Sequence, residues 1–188
     1  AEYDKQCLPN YQVFDEKRYF EAGADTCVVT IKGLPVGLTI CEDIWHPHPA
    51  ANAAAAGAQL LINLNASPFH RGKQSERTAQ VSALARTHQI PILYVNQVGG
   101  QDELVFDGDS LVVGADGALL ARASQFTDEV LVVDLSLAER PAITPAGNVE
   151  RIVISSEPLE PYEPLPPVIA ERLIDAEELY AAIVSGLS

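Results

Sequence analysis

The residues best suited to chemistry surround Cys41, in the run GLTICEDIWHP. Val36 to Ile40 is a short apolar run that follows Gly33-Leu34-Pro35, read as a turn, and it predicts a buried strand ending at the thiol. The crevice beyond such strand ends is where open α/β sheets bind ligands. The sharp turn that follows exposes backbone N–H groups able to hold the oxyanion formed when a thiolate attacks an amide carbon. Thiolate is the reactive form, so a base or a cation is needed nearby. Three cysteine mechanisms compete. A papain-like pair and a Cys-His-Glu glutaminase each need a histidine from another element. His46 and His48 lie just past Cys41 and His88 closes a predicted helix, which leaves His70, in a loop between Phe69 and Arg71. The third mechanism places lysine on the oxyanion and uses glutamate to take and return the proton. The bland alternative for Cys41 is a small buried hydrophobe, the usual state of a cysteine outside disulfides.

The elements that must position these groups alternate along the first half. Residues 50–58 are mostly alanine and suit a helix packed closely on a sheet. Gln59 to Asn63 predicts the next strand. Ala79, Val81, Leu84, Ala85 and His88 give a helical stripe over Ser75 to His88, and Pro91 to Val95 a third strand. This β-α-β-α-β order implies a partly parallel sheet with right-handed crossovers. Later, Ser110 to Gly114, Ala118 to Ser124 and Val130 to Leu135 read as short strands that extend the sheet in antiparallel fashion. Ala115-Asp116-Gly117 is the turn between the first two. Gly99-Gly100 reads as a loop turn; no lysine follows at phosphate-loop spacing. Pro158 to Pro167 holds five prolines in ten residues, a stiff linker. Beyond it, Leu173, Ala176, Tyr180, Val184 and Leu187 fall at helical spacing.

Composition narrows the function classes. A chain of 188 residues, 47% hydrophobic, can bury one core of ordinary size. A net charge of -14 argues against nucleic acid as a partner, because phosphates are repelled. No apolar run is long enough to cross a membrane and no signal-like segment opens the chain, which points to the cytoplasm. Cys7, Cys27 and Cys41 are odd in number and match no zinc spacing. His46 and His48 form an H-x-H pair with no further ligands at a recognisable spacing, so no metal is expected. Trp45 reads as a packing residue beside the turn. The chain starts without methionine inside a dense motif and stops in an amphipathic stretch, as expected of an internal piece of a longer protein.

Four runs in order, KQCLPNYQVFDEKRYFEAG (Lys5 to Gly23), GLTICEDIWHP, NLNASPFHRGKQSER and NQVGGQDELVFDGDS, resemble the carbon–nitrogen hydrolase (nitrilase-like) superfamily, and most closely the glutaminase domains of glutamine-dependent NAD synthetases. The resemblance implies an α/β fold, the nitrilase-like α-β-β-α sandwich (four-layer on dimerisation), here with its N-terminal part missing. It implies Cys41 as nucleophile and Lys5 as the catalytic lysine. The Glu42 N–H would belong to the oxyanion hole, and Tyr11 and Glu16 would line the glutamine pocket. Ser67 and Lys73, in the loop after the next strand, would bind the amino-acid end of the substrate, and Asp107-Gly108 would shape the site. On this reading 1–157 is the glutaminase domain, 158–167 a linker and 168–188 the start of a synthetase domain. The partners are glutamine and, through the missing domain, nicotinic acid adenine dinucleotide, with ATP and Mg2+ expected there and no cofactor here; a homo-oligomer is expected. The resemblance places the general-base glutamate upstream of Lys5, before this chain begins, so the piece alone is expected to be inactive. The rival readings are a stand-alone amidase on another amide and a non-catalytic structural fragment.

Overall fold

A computed structural model describes residues 2–137 and 149–187. Along the chain lie β1 (Thr26–Ile31), β2 (Leu34–Ile40), α1 (Pro47–Ala55), β3 (Leu60–Asn65), α2 (Lys73–His88), β4 (Ile92–Asn96), β5 (Val98–Gln101), β6 (Leu104–Asp107), β7 (Leu111–Val113), β8 (Leu119–Arg122), β9 (Val149–Val153) and α3 (Asp175–Ser185). Short 3-10 turns cover Glu16–Arg18 and Cys41–Trp45. The chain divides into two compact units: residues up to Asn63 with those from Leu137 to Pro161, and Leu64–Ser136 with the residues from Tyr162 onward.

In the first unit, β1 and β2 form an antiparallel hairpin, with Val28 opposite Gly37 and Ile31 opposite Leu34. Lys32 and Gly33, both at positive φ (53° and 81°), make its two-residue turn, the backbone hand that matches strand twist. Leu34 and Pro35 therefore belong to the strand and not to the turn expected there. β9 pairs parallel with β1 on the far side, and β3 flanks β2. The alanine-rich α1 lies close on β2: a Cβ added at Gly37 would meet the Ala53 Cβ at 2.9 Å. Small residues on both elements permit that approach. Val28, Val29, Val36, Ala50, Ala53 and Leu61 form the buried core of this unit, each large aliphatic contributing about 1.5–3 kcal/mol.

In the second unit, β4, β7 and β8 form an antiparallel run, and Gly114 to Ala118 closes the β7–β8 hairpin around Asp116 and Gly117. The core comprises Val81 and Ala85 of α2 with Ile92, Tyr94, Leu111 and Val113. Several expectations differ here. Gly99 and Gly100 are not a loop turn: they lie inside β5, paired with Phe106 and Val105 of β6. Val130 to Leu135 is not a strand: among the described residues no strand pairs with it, and Val130 is 91% exposed. α3 buries Glu178 and Ala182, leaving Tyr180, Val184 and Leu187 of the expected apolar stripe exposed. Glu178 accepts from the Gln74 and Gln125 side-chain amides, which ties α3 to α2. Residues 158–167 have no regular structure, yet Tyr162 Oη and the Leu165 N–H both donate to Asp134.

Candidate functional site

In the first unit the apolar β2 strand ends at Ile40, and the chain turns at Cys41 with φ 45° into a 3-10 turn. A positive φ on a non-glycine residue is uncommon and clusters at functional turns. Glu42 occupies the first position after the thiol, in the 3-10 turn Cys41–Trp45. The Glu42 carboxylate accepts the Tyr11 hydroxyl at 2.8 Å and lies 3.3 Å from His46 Nε2. Burial, then the hydrogen bond to Glu42, push the Tyr11 phenol up to about 12, with the charges of Cys41 and Glu16 adding to the effect. Tyr11 is thus within electrostatic reach of both Cys41 and Glu16.

Lys5 sits in extended chain that runs beside Gly23: the Gly23 N–H donates to the Lys5 carbonyl at 2.9 Å, and a Cβ on Gly23 would collide with the Asp4 carbonyl oxygen. Its ammonium donates to both oxygens of Glu16 at 2.7 Å, with side chains only 13% and 24% exposed. The structure therefore brings Lys5, Tyr11, Glu16, Cys41 and Glu42 into one unit. Glu16 meets the lysine directly.

A residue the sequence analysis overlooked stands beside them. Asp43 is wholly buried and accepts four hydrogen bonds: from Gln6 N (3.1 Å), Cys7 N (2.8 Å), Ile40 N (2.9 Å) and Tyr3 Oη (2.8 Å). The signal was present in the C-E-D run, since an acid three residues past the last strand residue can reach back to that residue's N–H and cap the turn. Burial, then Asp43, raise the Tyr3 phenol well above its usual range. Burial likewise, with Asp43 second, pushes the Cys7 thiol up to about 11, and burial raises that of Cys27. Both thiols stay protonated at neutral pH and are poor nucleophiles. None of the three cysteines is in a disulfide.

Ser67 and Lys73 fall in the second unit. Ser67 is buried; its N–H donates to Asn96 Oδ1 at 2.9 Å, and its hydroxyl and carbonyl accept from Arg77. Lys73 is not in a loop but opens α2, with its ammonium 3.0 Å from Glu76. That contact holds the Glu76 carboxyl below its ordinary range. Arg77, one helical turn further and 0% exposed, makes a two-pronged pair with Asp107 at 2.7 and 2.9 Å. It was also missed, although it falls four residues before Val81 on the stripe that marked α2. Asp109 is fully buried with neither oxygen hydrogen-bonded among the described residues; burial pushes its carboxyl up to about 6 against the opposing pull of Arg172 and Arg122. Among the described residues no group of three or more His, Cys, Asp or Glu side chains is arranged to hold a metal ion. No described helix is long and apolar enough to cross a membrane.

Comparison with known proteins adds the family context. The family model described as carbon-nitrogen hydrolase matches residues 1–143. A glutamine-dependent NAD(+) synthetase of Xanthomonas campestris pv. campestris is 49% identical over 152 residues, 80% of this chain and 27% of the relative. That of Thermotoga maritima is 39% identical over 197 residues, 98% of this chain and 34% of the relative. The solved glutamine-dependent NAD+ synthetase of Acinetobacter baumannii, in complex with ADP, superposes with a TM-score of 0.77 at 32% identity, covering 98% of this chain and 31% of that one. A carbon-nitrogen hydrolase of Helicobacter pylori gives 0.61 at 28% identity over 66% of this chain and 48% of that one. The nitrilase-like fold class is thereby shared. The chain spans about a third or less of the length of these curated relatives.

Proposed function

The chain belongs to the carbon–nitrogen hydrolase family, and from that premise we propose that it carries a glutamine-hydrolysing site with Cys41 as nucleophile. The Cys41 thiolate attacks the side-chain amide carbon of glutamine. The thiol proton is taken by a general base as the sulfur attacks and is then delivered to the leaving nitrogen, so that the C–N bond breaks, ammonia departs and a thioester remains. Water then attacks the thioester, giving glutamate and restoring the thiol. Lys5, held by Glu16, and the Glu42 N–H stabilise the oxyanion in both steps. Tyr11 fixes the Glu42 side chain. The observation that carries this reading is Lys5 held between both Glu16 oxygens, while Tyr11 of the same segment reaches Glu42, the neighbour of Cys41.

In a longer protein organised like the synthetase relatives, the ammonia feeds an ATP- and Mg2+-dependent amidation of nicotinic acid adenine dinucleotide. The similarity to synthetases, one solved with ADP, supports this. The domain boundary is proposed within 158–167 and the working location is proposed to be cytoplasmic.

A glutamine-analogue diazo-ketone tests the site. Mass spectrometry of the treated full-length protein is expected to find the label on Cys41, since the Cys7 and Cys27 thiols are raised. Label on Cys7 or Cys27 with Cys41 untouched would overturn the assignment. Turnover measured against a panel of amides separates glutamine from other substrates.

A further inference from the structure

We infer that Asp43 is a positioning residue that locks the Lys5 segment to the Cys41 turn, an inference that rests on Cys41 being the nucleophile. Its donors are not scattered. Gln6 N and Cys7 N, the two amides that follow Lys5, converge on Oδ1; Ile40 N, the amide that precedes Cys41, and Tyr3 Oη, two residues before Lys5, converge on Oδ2. One side chain thus joins two chain segments 36–40 residues apart, each ending beside a reactive group.

A carboxylate offers about four acceptor sites, and here all four are used. Nothing remains for substrate, and the residue is 0% exposed. Asp43 therefore acts on the reaction through geometry. A buried carboxylate is tolerated because these donors replace its water, and charge-assisted bonds of this kind are the stronger class. The reaction needs the ammonium and the thiolate placed together around one carbonyl, and misplacement by about 1 Å can cost about a hundredfold in rate.

An amide cannot reproduce this. Asparagine at position 43 keeps one acceptor oxygen and turns NH2 toward donors at the other end. If the oxygen serves Gln6 and Cys7, the NH2 faces the Ile40 N–H; in the flipped pose it faces two amides. Either way one side of the tie is lost while volume is kept. Tyr3→Phe is the milder cut, removing one of the four bonds and no backbone contact.

The test compares wild type, Asp43→Asn and Tyr3→Phe in the full-length protein, measuring kcat and KM for glutamine and the rate of diazo-ketone labelling per active site. Label stoichiometry counts the correctly folded sites. The expected result is a fall of about thirtyfold or more in kcat and labelling rate per site for Asp43→Asn, with KM within about threefold, and a fall of about threefold in kcat for Tyr3→Phe. A wild type that neither hydrolyses glutamine nor takes label sinks the nucleophile reading itself. An active wild type with an Asp43→Asn variant equally fast per labelled site, however few sites remain, overturns the positioning role alone. If Asp43→Asn does not fold, Tyr3→Phe decides: a kcat loss at unchanged KM supports the role, and wild-type kcat overturns it.

Discussion

The Lys5–Cys41 region and the Arg77–Asp107 region both gather charge, but to different ends. In the first, the Lys5–Glu16 pair is partly open to solvent and the wholly buried carboxylate of Asp43 is occupied by three backbone amides and the Tyr3 hydroxyl. Lysine and thiol are held, not consumed. In the second, Arg77 and Asp107 are sealed from water and satisfy each other, with Ser67 and Asn96 drawn into the same network. Buried charges there fix a loop. The comparison teaches that a charged cluster points to chemistry when its groups stay partly accessible, and to scaffolding when they are mutually saturated.

The contrast can be broken by substitution. Arg77→Ala has the largest expected effect: it strands Asp107 in the core and should cost about 3–5 kcal/mol of stability, read by urea denaturation. A loss below about 1 kcal/mol would erase the distinction. Next is Asp109, whose raised carboxyl takes up a proton in the folded state before it does so unfolded. Its contribution is fully present below the ordinary carboxylate range near pH 4 and is lost as pH rises through about 6. Wild type should therefore gain about 2 kcal/mol relative to Asp109→Asn as pH falls from 7 to 4, measured by denaturation at each pH. An unchanged difference across that window would refute it. Glu16→Gln should have the smallest effect on stability, about 1–2 kcal/mol, because the pair keeps some contact with solvent and glutamine keeps one oxygen to accept from the ammonium. The same variant should lower kcat more than tenfold by releasing the lysine. A large stability loss without a kcat loss would assign Lys5–Glu16 to the scaffold.

Much of the fold was legible because burial writes a period into the sequence. β2, β3, β4, α1 and α2 all appear where apolar runs or helical stripes predicted them, within a few residues. What failed did so for physical reasons. The apolar residues at 130–135 carry the strand signal, but a strand exists only where an edge is available to pair with. Gly99 and Gly100 suggest a turn by type, yet their place is set by cross-strand partners. The pair of β1 with β9 joins residues more than a hundred positions apart and leaves no local trace. Lys5, Glu16 and Cys41 stood out through motif resemblance. Asp43 and Arg77 did not, because a side chain bonded to distant backbone or to a distant carboxylate has no periodicity of its own.

The positive φ at Cys41 carries a consequence for how this scaffold can vary. A side chain branched at Cβ crowds the backbone in that conformation. Serine could replace the thiol without disturbing the turn, but threonine could not. With Cys41 as the proposed nucleophile, backbone geometry favours side chains with a single heavy atom on Cβ at this turn and disfavours an oxygen nucleophile of the threonine type before reactivity is considered.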